Sequence, residues 1–186
     1  YNSKGQLGLG DIVNRSSPVQ IGTLTTWAKV VGSGRESAAI KTDGTLWTWG
    51  WNVDPNWHHA DGTLGLGDII NRSSPTQVGA LTNWSKITIA GQSYNYPAMI
   101  AIKTTGEAWG WGAYARQIGN AQVGNNTSSP VLVGGGLTWA KINQGNHYNV
   151  NGITTDGKMW VWGQLTRGAG GNNVGTPYGQ TTPLQS

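Results

Sequence analysis

Residues Gly5 to Gly22 read GQLGLGDIVNRSSPVQIG, and residues Gly62 to Gly79 read GTLGLGDIINRSSPTQVG. A stretch that returns almost unchanged after 57 residues marks a solenoid, a propeller or an array. The landmarks around it recur as well. Pro18, Pro75, Pro130 and Pro183 follow one another at 57, 55 and 53 residues, and Trp27, Trp84 and Trp139 each lie nine residues after their proline. Each unit then ends in W-x-W-G, at Trp47–Gly50, Trp109–Gly112 and Trp160–Gly163. The unit is written about three and a half times, giving expected repeats at residues 1–50, 51–112, 113–163 and an incomplete 164–186.

Within each unit the pattern reads as strands. Ala38–Thr42 and Thr45–Trp49 flank Asp43-Gly44, and Asp156-Gly157 stands in the same place later. Asp-Gly between β-formers predicts a tight two-residue hairpin of type I′. Thr105-Gly106 departs from that pair and predicts a different turn. The two indoles of W-x-W lie two residues apart and share one sheet face. A further strand is expected at Trp27–Val31, Trp84–Ile87 and Trp139–Ile142, and no segment has a helical period.

Composition agrees with a short-stranded all-β chain. Of 186 residues 30 are Gly and 11 are Trp, Cys and Phe are absent, and only 11% are charged. The net charge of +4 comes from 12 basic and 8 acidic residues with no run of Lys or Arg, so nucleic acid is not expected as a partner. Without Cys there are no disulfides and no thiolate metal sites. No apolar stretch approaches the length of a membrane helix, so no membrane insertion is expected. The chain opens on Tyr1-Asn2-Ser3-Lys4-Gly5, the segment that elsewhere follows W-G, and reads as a piece of a longer polypeptide or a processed product.

The G-x-L-G-L-G-D segments at Gly5–Asp11 and Gly62–Asp68, the S-S-P triplets at Ser16–Pro18, Ser73–Pro75 and Ser128–Pro130, and the run Lys41–Gly50 together resemble the regulator of chromosome condensation repeat family, in a bacterial or phage style. The resemblance implies a seven-bladed β-propeller of four-stranded blades, of which this chain carries about half. The remaining blades are then expected from the same longer chain or from a second copy. The third repeat, with Gln117–Gly124, and the fourth, with Gly168–Asn172, depart from the G-x-L-G-L-G pattern, so differently shaped loops are expected there.

Chemistry is sparse. The Gly-rich segments lack the G-K-[S/T] ending of a phosphate loop, and recurrence in successive units makes them loop geometry. His58 and His59 stand near Asp54 and Asp61, too few ligands for a metal site, and no carboxylate pair marks a glycosidase. No cofactor, metal or catalytic residue is expected. What differs between units is more telling. The segment between Gly50 and Pro75 is seven residues longer than its shortest counterpart, and a second excess falls around Gln92–Pro97. Insertions in repeat folds map to surface loops. Trp51, Trp57, His58, His59, Tyr94, Tyr96, His147 and Tyr148 are therefore the candidate binding residues, with a protein or a surface glycan as partner.

The expected function is a non-enzymatic interaction or structural module, exported or displayed on a virion surface as an adhesion or decoration protein. The alternative implied by the resemblance is guanine nucleotide exchange or chromatin binding like that of the family's founding member.

Overall fold

The computed structural model describes residues 1–53, 62–90, 97–113, 115–120, 126–145, 149–163 and 180–185. They form three antiparallel four-stranded sheets with strands in simple chain order. The first holds β1 (Trp27–Gly32), β2 (Glu36–Lys41), β3 (Leu46–Gly50) and β4 (Arg72–Gln77). The second holds β5 (Trp84–Ala90), β6 (Ala98–Lys103), β7 (Ala108–Ala113) and β8 (Asn126–Leu132). The third holds β9 (Trp139–Gln144), β10 (Asn149–Thr154), β11 (Met159–Gly163) and β12 (Gln180–Gln185). Each sheet thus ends one repeat and takes its outermost strand from the first part of the next.

The hairpins differ from the expected two-residue type. In the first, Gly44 donates to the Lys41 carbonyl at 3.0 Å and Lys41 donates to the Thr45 carbonyl at 3.0 Å, so the connection is the three residues 42–44. Gly106 and Gly157 repeat both bonds, to Lys103 with Glu107 and to Thr154 with Lys158. Such a turn puts its left-handed residue at the third position, where the glycines have φ of 78°, 87° and 83°. The residue before the glycine is unconstrained, which is why Thr105 builds the same turn as Asp43 and no different one. A Cβ at Gly44 would also stand 2.0 Å from the Thr82 carbonyl oxygen. Gly44→Ala is expected to cost about 2 kcal/mol through positive φ and overpacking, read as a lowered urea midpoint. An unchanged midpoint would mean that the turn relaxes freely.

The recurring prolines have a physical place. Thr48 pairs with Thr76 and Gly50 with Arg72, so Trp49 alone faces the three residues Ser73-Ser74-Pro75. The same bulge separates Gly110 from Gly112 and Val161 from Gly163. Proline is tolerated in an edge strand or a bulge, and here it occupies both. It also blunts an outer edge that would otherwise template aggregation.

The sheets meet face to face through two apolar clusters. Ala38, Ile40 and Leu46 of the first sheet pack on Trp84, Met99, Ala101 and Trp111 of the second, with Leu64 and Val78 wedged among them. Ile100, Ile102 and Ala108 of the second pack on Trp139, Ile142, Val150 and Trp162 of the third, with Val133 in the place of Val78. Paired indoles fill the bulk. Trp27 lies 6.1 Å from Trp47 and 6.2 Å from Trp49, and Trp139 lies 6.5 Å from Trp160 and 5.3 Å from Trp162. Lys41 Nζ rests 3.8 Å from the Trp47 ring centre, and Lys103 Nζ rests 4.3 Å from that of Trp109.

A second contact joins the sheets along β1, β5 and β9. The β5–β6 ladder shifts between Trp84 and Lys86, and the β10–β9 ladder shifts between Ile153 and Thr154, leaving Ser85 and Ala140 as bulged residues. A bulge takes one residue out of the ladder. Lys29 donates its ammonium to the Ser85 carbonyl, and Lys86 donates to that of Ala140. Each lysine therefore ties its sheet to the next. Lys86→Met is expected to lower unfolding free energy by about 1 kcal/mol, measured by urea titration, with the loss shrinking as Ala140 finds water. No change would mean that the bond is idle.

Candidate interaction surface

In each sheet the first strand runs to the same end at which the second begins and the third finishes. The described residues that leave that end are 33–35 and 51–53 in the first sheet, 97 and 115–120 in the second, and 145 in the third. The sequence offers eight candidate binding residues. Seven of them, Trp57, His58, His59, Tyr94, Tyr96, His147 and Tyr148, lie outside the described residues.

Trp51 is described, and it is buried at 4% exposure rather than displayed. Its amide donates to the Arg35 carbonyl at 3.0 Å, and the Arg35 guanidinium lies 4.1 Å from its ring centre. A guanidinium over indole is a favourable stack. Trp51 thus packs against the half-buried Arg35 rather than standing out from the surface.

Beside this pair stands a group that sequence reading passed over. Glu36 opens β2 and is 3% exposed. Ser33 Oγ donates to its carboxylate, while the Glu36 amide donates back to Ser33 Oγ at 3.2 Å. Burial is the main cause that raises its pKa from 4.5 to about 7, partly offset by the Ser33 hydrogen bond and the Arg35 charge. The matching residues, opposite Gly112 and Gly163, are Ala98 and Asn149. A carboxylate at a position that is uncharged in the other two repeats was the available signal, and it emerges only once the register is known.

The Gly-rich segments are closed structural clamps. Asn2 Nδ2 donates to the Asp11 and Val13 carbonyls at 3.0 and 3.1 Å, while its Oδ1 accepts the Leu7 amide at 2.8 Å. Asn52 does the same with Asp68, Ile70 and Leu64 at 3.0, 3.2 and 2.8 Å. Asp11–Arg15 and Asp68–Arg72 ion pairs close each loop at 2.6 and 2.5 Å. The Asp11 carboxylate is held below its ordinary pKa chiefly by the Val13 amide. These backbone donors are used internally and offer no phosphate cradle.

The third repeat has a different shape at this place, as its sequence implied, although the shape is unexpected. One helical turn, α1 (Ala115–Ile118), replaces the loop. It preserves the contact that counts: the Trp162 indole N–H donates to the Gln117 carbonyl at 3.0 Å, as that of Trp49 donates to the Gln6 carbonyl at 3.0 Å.

Two open clefts recur, one beside the first blade and one beside the second. One of about 460 Å³ lies among Gly8, Leu9, Trp27, Trp47 and Pro75, and its counterpart of about 340 Å³ lies among Gly65, Leu66, Trp84, Trp109 and Pro130. Among the described residues there is no group of three His, Asp or Glu side chains able to hold a metal, and no helix is long and apolar enough to cross a membrane.

No protein-family profile matches the chain. It is 28% identical over 186 residues to the ultraviolet-B receptor UVR8 of Arabidopsis thaliana, covering 99% of this chain and 40% of the receptor. It is 28% identical over 113 residues to the mitochondrial RCC1 domain-containing protein RUG3 of Arabidopsis thaliana, covering 60% of this chain and 23% of that protein. Among solved structures, Prp20p of Saccharomyces cerevisiae superposes with a TM-score of 0.76 at 16% identity, over 97% of this chain and 44% of that one. Human WBSCR16 superposes with a TM-score of 0.73 at 18% identity, over 100% and 45%. The chain spans less than half the length of each of these relatives. Its three sheets are accordingly blades of a partial, all-β propeller of the RCC1 type, and in sequence it is similar to RCC1-like repeat proteins.

Proposed function

We propose that the chain is part of a non-enzymatic protein-interaction module, whose contacts are made at the sheet end that carries residues 33–35, 51–61, 91–97 and 145–148. The supporting observation is the contrast between a repeated frame and the unrepeated segments of sequence between its strands. The hairpins and the W-x-W-G strands recur in all three blades and the asparagine clamps in two, whereas Arg35, Glu36, Trp51 and the Tyr- and His-bearing segments do not recur. A rigid frame with individual end segments suits recognition, because few groups must be ordered on binding. The remaining blades complete the ring from the same polypeptide or a second copy.

The low charge and the Thr-, Asn- and Gly-rich surface suit an exported or virion-surface setting, with a protein or glycan as the bound surface. The experiment is a comparison of the chain with a variant carrying Tyr94→Ser, Tyr96→Ser, His147→Ala and Tyr148→Ser, both captured against purified virions or cell envelopes from the native source. The expected result is binding by the unaltered chain and at least a tenfold loss in the variant, with circular dichroism unchanged. Equal binding by both would sink the assignment of this end.

A second reading is favoured by Prp20p, whose structure was described together with its binding to Gsp1p and histones. Purified histones and a Ran-type GTPase, presented to the same two proteins, decide it. Retention of either by the unaltered chain would favour this reading over the surface role.

A further inference from the structure

The cleft beside the second blade is lined by the indoles of Trp84 and Trp109, by Leu66, Leu81 and Pro130, and by Ser129. The cleft beside the first blade has Trp27, Trp47, Leu9, Leu24, Pro75 and Ser74 at the same places. The fold does not require this opening, because the third repeat builds the same frame without it. Gly119 lies against the Trp162 indole as Gly65 lies against that of Trp111. The next residue is Asn120 in place of Leu66, and its Nδ2 donates to the Leu132 carbonyl at 2.8 Å. Gly136 stands three residues before Trp139, where Leu81 stands three before Trp84. A Cβ at Gly79 would meet nothing within 4 Å, whereas at the matching Gly134 it would stand 3.0 Å from Trp139 and 3.3 Å from Pro183. The third repeat thus drops both leucines and closes over its indole, and its sheet still has four strands.

The two repeats that keep the cleft also leave a leucine in water at its mouth, Leu24 at 48% and Leu81 at 46% exposure. Apolar surface displayed without a structural need marks a contact. The wall chemistry says what fits. The second cleft holds no charged residue, and Arg15, the one charge in the first, is paired with Asp11 at 2.6 Å. The complementary ligand is therefore uncharged. Volumes of about 340 and 460 Å³ admit small apolar groups, not the face of a helix about 10 Å across. Ser74 and Ser129 are exposed, and among the described residues their hydroxyls make no hydrogen bond. A sugar would bring more hydroxyls than these walls can satisfy, and polar groups desolvated without partners are costly. A prolyl residue brings an apolar ring, a carbonyl to accept from the serine, and no N–H in need of an acceptor.

From these we infer that the two clefts are seats for an extended, uncharged, proline-rich peptide segment of a partner, one prolyl ring to each cleft. The ring rests on the indoles of Trp84 and Trp109, Leu81 covers its outer side, and Ser129 Oγ donates to the neighbouring carbonyl. Aromatic-lined grooves take such segments because the polyproline conformation is already ordered before binding. The first cleft repeats these contacts one blade away, so two rings on one segment bind with raised effective concentration. Neither cleft shares a residue with the proposed interaction end, and the inference stands independently of it.

The test titrates the chain with a capped decaproline peptide while the indole N–H signals are followed by NMR. Saturable shifts of Trp27, Trp47, Trp84 and Trp109 are expected below about 1 mM peptide, with Trp162 unmoved. Leu81→Asp and Ser129→Lys, both at exposed positions, are each expected to weaken the response of Trp84 and Trp109 by at least about tenfold. Trp27 and Trp47 keep a saturable response in both variants, which also shows that the variants are folded. No saturable shift in the unaltered chain overturns the inference, as does a response confined to Trp51. Variants that bind at Trp84 and Trp109 as the unaltered chain does overturn the assignment of the cleft. An equal response of the four indoles to maltohexaose overturns the choice of a peptide.

Discussion

Trp162→Ala is expected to remove about 3–5 kcal/mol of stability, the largest effect of any single substitution considered. The side chain is fully buried between the second and third blades, 5.3 Å from Trp139 at an interplanar angle of 51°. Two losses combine. An indole-sized cavity opens in a cluster with Ile100, Val133 and Val150, of which Ile100 and Val150 lie in central strands that collapse little. The Gln117 carbonyl also loses its 3.0 Å donor, and with it α1 loses one of its ties to the third blade. Trp162→Phe separates the two terms, because it keeps most of the volume and loses the hydrogen bond, for an expected cost of about 1–2 kcal/mol beyond the lost area. Urea unfolding followed by circular dichroism is the measurement, since the other tryptophans blur fluorescence. An alanine variant within 1 kcal/mol of the unaltered chain would mean that the inter-blade cluster is not what holds the third blade.

Stability is expected to fall as pH rises from 4.5 to 7, by on the order of 3 kcal/mol, through Glu36 alone. Its folded pKa of about 7 lies above its ordinary value of 4.5, and burial is the leading cause. Below 4.5 the carboxyl is protonated whether the chain is folded or not, and its contribution is fully present. Between the two values the folded state binds the extra proton, so each step upward in pH favours unfolding, and above 7 the contribution is gone. Asp11, Asp43 and Asp156 are displaced the other way, Asp156 to about 2, so what they add is lost only in stronger acid. The quantity to measure is the difference between the unaltered chain and Glu36→Gln, which isolates the contribution of this carboxyl. Glu36→Gln is expected to be more stable than the unaltered chain at pH 8 and to flatten the profile between pH 5 and 8. Parallel profiles would show that the carboxyl ionises without cost.

Much of the architecture was legible in the residues because repetition reveals register. The Pro-to-Trp spacing and W-x-W-G located the strands, and shared indole faces followed from the two-residue period of a strand. What escaped notice depended on contacts distant in sequence. The hairpin was read from Asp-Gly as two residues, whereas the bonds between Lys41 and Thr45 make it three and shift all the backbone demand onto Gly44. The single turn Ala115–Ile118 is too short for a helical period to show. Asn2 and Asn52 each organise a whole loop, yet an asparagine after W-G or at a chain start carries no local mark of that role. At the candidate end, Trp51 was singled out as an aromatic contact, and burial makes it instead the support of Arg35.

The Gly62–Asp68 loop, described above as a clamp, also sets an order in time. It precedes β4 of the first blade but is completed by the second: Leu64 enters the shared cluster, a Cβ at Gly62 would meet Ser128, and Gly65 lies against the Trp111 indole. On a ribosome these partners emerge only after the first blade has left the tunnel, a delay on the order of seconds at ordinary elongation rates. Each newly made blade is thus provisional until its successor arrives, and the growing chain matures one unit behind its own synthesis.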